Sequence, residues 1–148
     1  MPIVFPGNVS GKNRLNLDEL SYQNPYQTIM FGFNASHHRS VNLITLPKNV
    51  MVYEVVCKVI EAFDAVNSRL EIGTDSGQAS IAMFNINNVG LKFMVEFDLP
   101  KFYRPFTQPE NIRIAVTALS GTNTRGSGFG VINYLDLNLI ESNKKIGI

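Results

Sequence analysis

Val50-Met51-Val52-Tyr53-Glu54-Val55-Val56-Cys57-Lys58-Val59-Ile60-Glu61-Ala62-Phe63-Asp64-Ala65-Val66 decides the fold class, and it admits two readings. Val52, Val55, Val56, Val59, Ile60, Phe63 and Val66 fall at helical spacing, and Glu54 with Lys58 would form an i,i+4 pair on a helix. Read as a strand, the same stretch puts Met51, Tyr53, Val55, Cys57, Val59 and Phe63 on an inner face. Six valines and one isoleucine in seventeen residues favour the strand. Branching at Cβ restricts χ1 against a preceding helical turn and packs well on a pleated surface. The strand is the preferred reading, with the helix as its alternative.

The flanking sequence repeats a strand–turn–strand rhythm. Upstream, Thr28 to Phe33 is rich in β-formers and ends at the polar cluster from Asn34 to Ser40. Val41 to Leu46 follows and stops at Pro47-Lys48-Asn49. Downstream, Arg69 to Gly73 alternates and then breaks at Thr74-Asp75-Ser76-Gly77, a turn signal. Val89, Leu91, Phe93, Val95 and Phe97 alternate with Gly90, Lys92, Met94, Glu96 and Asp98, which predicts a strand with one buried face. Ile112, Ile114 and Val116 repeat the pattern. So do Phe129, Val131, Leu135, Leu137 and Leu139, interrupted at Asn133. Pro100, Pro105 and Pro109, and the Gly-rich loop from Ser120 to Gly128, cannot continue a strand interior. Seven or eight short strands predict an all-β fold, a two-sheet antiparallel sandwich of jelly-roll type. Residues 1–26, rich in Pro, Gly and Asn, are expected to form an extended N-terminal arm. The sandwich domain is expected over 27–141 and a C-terminal tail over 142–148.

At 148 residues the chain fits one domain able to bury its own core. Its net charge of +1 gives no long-range field to attract nucleic acid or anionic lipid, and near-neutral proteins associate readily because self-repulsion is weak. Cys57 is the only cysteine, which excludes an intrachain disulfide. The first residues lack the pattern of a signal peptide, and no run approaches the ~18–20 apolar residues of a membrane-spanning helix. Neither a nucleic-acid partner nor a membrane is expected, and a small-molecule ligand is disfavoured.

The candidate chemistry is sparse. His37 and His38 are adjacent, so on a strand they would point to opposite faces and not share a metal. Cys57 lacks a neighbouring histidine to act as base, and its valine-rich setting reads as a small buried hydrophobe. Gly126-Ser127-Gly128-Phe129-Gly130 looks superficially like a phosphate loop, but no Lys-Ser/Thr follows and a β-type run continues from Val131. Asp64, Asp75 and Asp98 lack the dense ligand spacing of a calcium loop. No catalytic residue, cofactor or metal is expected. The candidate subunit contacts are Phe5, Leu15, Leu17, Leu20 and Tyr22 in the arm, together with Arg125 and Phe129 at the Gly-rich loop.

Leu46-Pro47-Lys48-Asn49-Val50-Met51-Val52-Tyr53-Glu54-Val55-Val56, then Ala62-Phe63-Asp64 and Leu70-Glu71-Ile72-Gly73, resembles a pattern of tailed-bacteriophage structural proteins. That pattern is a turn with Pro, a valine-alternating strand, an Ala-Phe-Asp/Asn corner and Leu-x-Ile/Val-Gly. It occurs in capsid cement or decoration proteins and in head or tail fibre modules. The similarity covers about 30 residues and transfers no binding residue. It implies a jelly-roll-like virion protein, made in the host cytoplasm, that sits on the capsid exterior and clamps adjacent major capsid subunits. Its partners would be the major capsid protein and neighbouring copies of itself. A head-fibre, tail or receptor-binding module, or a cellular carbohydrate- or protein-binding sandwich, is the alternative.

Overall fold

The computed structural model describes residues 23–94 and 98–145. Among these, eight strands form two four-stranded sheets. They are β1 (Tyr26–Asn34), β2 (Val41–Leu46), β3 (Val50–Glu61), β4 (Arg69–Thr74), β5 (Gly77–Asn85), β6 (Gly90–Phe93), β7 (Glu110–Thr117) and β8 (Ser127–Asp136). Sheet A has the order β1-β8-β3-β6 and sheet B the order β2-β7-β4-β5. Every pairing between strands is antiparallel. The expected all-β fold of two antiparallel sheets is therefore present, and Val50–Glu61 is a strand rather than a helix.

The core lies between the sheets. Phe33, Val55 and Ile132 of sheet A meet Leu70, Ile72 and Ile114 of sheet B in one buried apolar cluster. The inner face of β3 differs from the simple alternation expected of it. Val50 and Val52 point inward, then Val55, Cys57 and Val59 do, because a bulge between Val52 and Glu54 inserts Tyr53 and shifts the phase by one residue. Met51 and Tyr53 thus leave the inner face.

The phase of β8 is also the reverse of the expected one. Ile132 is fully buried, while Phe129 is exposed. The cause is packing at the glycines. Gly130 pairs with Phe31 and Gly128 with Phe33 across β1, and a Cβ at either glycine would overlap the ring opposite. Gly126, at a φ of 134°, likewise leaves room for the Phe63 ring. The Phe33 and Phe63 rings stack at 5.7 Å, and Phe31 lies 6.2 Å from Phe33. The Gly-x-Gly-x-Gly run is therefore a seat for three aromatic rings.

Strand β8 ends at Asp136, so Leu137 and Leu139 do not extend it. Helix α1 (Leu137–Lys145) begins there. The Asp136 carboxylate accepts the Asn138 backbone N–H at 3.0 Å, a helix N-cap contact. Farther along α1, buried Asn143 accepts the Gln23 N–H at 3.2 Å and donates to the Gln23 carbonyl at 3.0 Å. This clamp holds the chain beside the start of β1. The segment with Pro100, Pro105 and Pro109 forms no strand. It runs along the free edge of β3, where the N–H groups of Tyr103 and Phe106 donate to Val52 and Val50 at 2.7 and 2.9 Å.

Gly130→Ala should destabilise the fold by about 1–3 kcal/mol through overpacking against Phe31. Combining it with Phe31→Leu should cost less than the sum of the two single changes. Denaturant midpoints for the four proteins of that cycle test the ring–glycine seat, and strict additivity would refute it.

Candidate interaction surface

Because side chains alternate along a strand, seating Phe31 and Phe33 over Gly130 and Gly128 sends Met30, Phe129 and Val131 to the opposite side of sheet A. The pairing carries this row across all four strands. Met30 lies opposite Val131, Val131 opposite Val56, and Val56 opposite Phe93. The next row runs Gly32, Phe129, Lys58, Leu91. Met30 is 74% exposed, Phe93 60%, Leu91 55% and Phe129 47%. On the other side of the apolar row lies a polar one. Thr28 Oγ1 donates to Asn133 Oδ1 at 2.8 Å, and Asn133 Nδ2 donates to Glu54 Oε1 at 2.7 Å. Beyond it, Tyr26 pairs with Leu135 and meets Tyr53 edge-on at 6.0 Å. Burial and the neighbouring Glu54 and Tyr26 push the Tyr53 phenol above its ordinary range.

The segment from Val89 to Phe97, expected to bury its apolar side, does the opposite where it is described. Its paired part, Gly90–Phe93, is apolar on alternate positions as expected, but Leu91 and Phe93 face outward. Pairing with Val56 and Lys58 fixes their side, and Lys92 opposes Cys57 instead. Val95 and Phe97 lie outside the described residues. A cavity of about 320 Å³ adjoins this end of the face, lined by Tyr53, Glu54, Phe93, Met94 and Tyr103 among others.

The outer face of sheet B is of another kind. Arg113 pairs with Asp75 at 2.9 Å and donates to Ser40 Oγ at 3.1 Å. Asn111 donates to Asp75 at 2.6 Å, and Gln78 to Glu71 at 2.7 Å. That surface is solvated and its polar groups serve one another.

The remaining candidates have structural surroundings. His37 sits in the β1–β2 turn, where its Nδ1 accepts the Asn34 N–H at 3.1 Å. Asp64 accepts the Thr124 N–H at 2.9 Å and the Thr124 hydroxyl at 2.5 Å. These bonds hold its carboxyl below the usual range and tie the Ala-Phe-Asp corner to the Gly-rich loop. Among the described residues no three His, Cys, Asp or Glu side chains cluster to hold a metal, and no helix is long and apolar enough to cross a membrane. Of the expected subunit contacts, Phe129 lies on the sheet A face and Arg125 is exposed in the loop beyond it. Phe5, Leu15, Leu17, Leu20 and Tyr22 lie outside the described residues. Met30, Val56 and Phe93 were not singled out from sequence. The signal that could have found them is the alternation of Gly128 and Gly130 with Phe129 and Val131, which marks the glycine side as the one needing space.

No protein-family model matches the sequence, and no curated protein matches it. Solved structures share its fold. A chain of the acidic stable capsid structure of Helicobacter pylori bacteriophage KHP30 aligns at a TM-score of 0.56 and 12% identity, covering 74% of this chain and 86% of that one. A chain of the cyanophage Pam1 capsid asymmetric unit aligns at a TM-score of 0.56 and 13% identity, covering 88% of this chain and 99% of that one.

Cys57 is buried in the core, and that burial pushes its thiol up to about 12, with Lys92 pulling weakly the other way. The thiol should resist alkylation in the native protein and react on unfolding. Its folded pKa exceeds the ordinary 9.0, so the stability it contributes is complete below pH 9.0 and is lost as pH rises toward 12. The full loss is on the order of 4 kcal/mol. Cys57→Val should lack this part of the alkaline slope, and identical slopes in the two proteins would refute the assignment.

Proposed function

We propose that this chain is a non-enzymatic structural protein of a bacteriophage particle. In this reading it is a cement or decoration protein that binds the outer capsid surface and clamps adjacent major capsid subunits. The observation that carries the reading is the fold shared with chains from two phage capsid structures over most of both chains. The strand order β1-β8-β3-β6 over β2-β7-β4-β5 supports the jelly-roll assignment, since eight antiparallel strands in two sheets suit that architecture. The apolar outer face of sheet A supports a binding role, because exposed apolar patches mark contact surfaces.

The N-terminal arm expected over residues 1–26 then reaches neighbouring subunits through Phe5, Leu15, Leu17, Leu20 and Tyr22, while Arg125 and Phe129 contact them from the domain. Each contact need not be strong. On a symmetric lattice, linked weak contacts add through effective concentration. Synthesis in the host cytoplasm suits a chain whose single thiol has no disulfide partner.

Purified full-length chain should co-sediment with capsids lacking it and saturate at a copy number comparable to that of the major capsid protein. A few copies per particle would instead favour a fibre or tail module. Deleting residues 1–22 leaves the Gln23–Asn143 clamp in place. The shortened chain should therefore keep its unfolding transition while losing most of its capsid attachment, and undiminished attachment would refute the arm.

A further inference from the structure

The outer face of sheet A carries its charges in a self-complementary layout. Glu54 lies two residues before Val56 on β3 and Lys58 two residues after it, and both are exposed. Among the described residues Lys58 makes no ion pair. Val56 sits in the apolar row Met30–Val131–Val56–Phe93.

We propose that this face packs on the same face of a second copy of the chain, about a twofold axis that lies in the contact plane along that row. Such an axis leaves each row residue opposite its own counterpart and exchanges the rows on either side. Glu54 then faces the second copy's Lys58, and Lys58 faces the second copy's Glu54, giving two ion pairs from two residues. Met30, Val131, Val56 and Phe93 stack on their equivalents. Asn133 meets Phe129 of the second copy with its amide oxygen already bonded to Thr28 and its amide nitrogen to Glu54.

A twofold axis along the strands, midway between β8 and β3, is an alternative. It places Glu54 against Asn133 and Lys58 against Phe129, leaving both charges unpaired. Charge complementarity thus selects the first axis, and the net charge of +1 adds little repulsion between copies.

The size of the face sets the strength. Four strands ~4.8 Å apart and about nine residues long at ~3.3 Å each cover on the order of 500 Å². Two such faces bury roughly 1,000 Å², the lower limit for a specific interface. An interface of this size belongs to the small, transient class. It does not depend on the virion assignment and is measured on the purified chain without capsids.

The test is sedimentation equilibrium of the full chain from micromolar to millimolar concentration. A monomer–dimer equilibrium is expected. Met30→Glu, at a site exposed enough to leave folding intact, should abolish it with an unchanged unfolding transition. Glu54→Lys and Lys58→Glu should each weaken the dimer about tenfold, since each sets two like-charge pairs face to face. The double swap E54K/K58E should return it to within about threefold of the wild type. Four results would overturn the proposal. The chain could stay monomeric throughout, or the double swap could be no better than the singles. Dimers could form only after residues 1–22 are deleted, which would give the face to that segment. Met30→Glu could leave self-association intact while removing capsid co-sedimentation, which would give the face to a capsid subunit.

Discussion

Three aromatic rings need three glycines, and the register of sheet A follows from that requirement. Phe31 and Phe33 on β1 can lie against β8 only where β8 has no Cβ, at Gly130 and Gly128. A one-residue slip would set both rings opposite residues that carry a Cβ, at 127 and 129 or at 129 and 131, which favours the pairing found. Phe63 fills the space beside Gly126 in the same way, which draws the β3–β4 corner onto the loop before β8. Because side chains have a period of two, a slip of one residue would move the whole set to the other face. The same constraint that closes the core also turns Phe129, Val131 and Met30 toward solvent.

Around that lock, the free edge of β3 is managed without a full-length neighbour. β6 pairs only from Val56 to Val59, which leaves the edge of β3 toward Val50 without a strand neighbour. The proline-rich stretch takes over there, donating the N–H groups of Tyr103 and Phe106 to β3 carbonyls. Proline within that stretch keeps it from becoming an edge strand able to recruit another chain. The corner from Phe63 to Ser68 is fastened by side chains instead. Asn123 accepts the Ala65 N–H at 2.8 Å, and Asn87 donates to the Phe63 and Ala65 carbonyls at 3.0 and 2.7 Å. With those backbone groups satisfied, a loop can be buried at little cost.

Fold class was legible in sequence because β-branched residues and turn clusters alternate so regularly. Val41–Leu46 and the Asp75-Ser76 turn fall where the pattern places them. What stayed hidden was phase. Periodicity states that one side of a strand is apolar, and tertiary pairing decides whether that side faces the core. For Leu91 and Phe93 it faces out, since Val56 and Lys58 beside them face out. β5 escaped notice because Ser80, Ile81 and Ala82 are buried in succession, with no alternation to read. Leu137 and Leu139 continued a strand pattern, and only the Asp136 carboxylate, capping the backbone two residues on, redirects them into helix. The outer face of sheet A was legible only through Phe129, because its other members come from strands distant in sequence that meet through pairing alone.

An apolar sheet face would ordinarily be an aggregation hazard, and here the polar row limits it. Thr28, Asn133 and Glu54 cross the sheet between the Tyr26–Leu135 row and the Met30–Phe93 row, and Lys58 interrupts the row beyond. The apolar row is thereby bounded along the strand direction, which limits the continuous hydrophobic area. The same residues restrict how anything can cover it. A partner laid down out of register would bury Glu54 or Lys58 without an opposite charge, and an unpaired buried charge costs more than the apolar contact returns. The apolar rows therefore supply the drive to associate, and the charges between them choose the geometry. A face built this way binds weakly wherever the match is poor and is occupied only where shape and charge agree together.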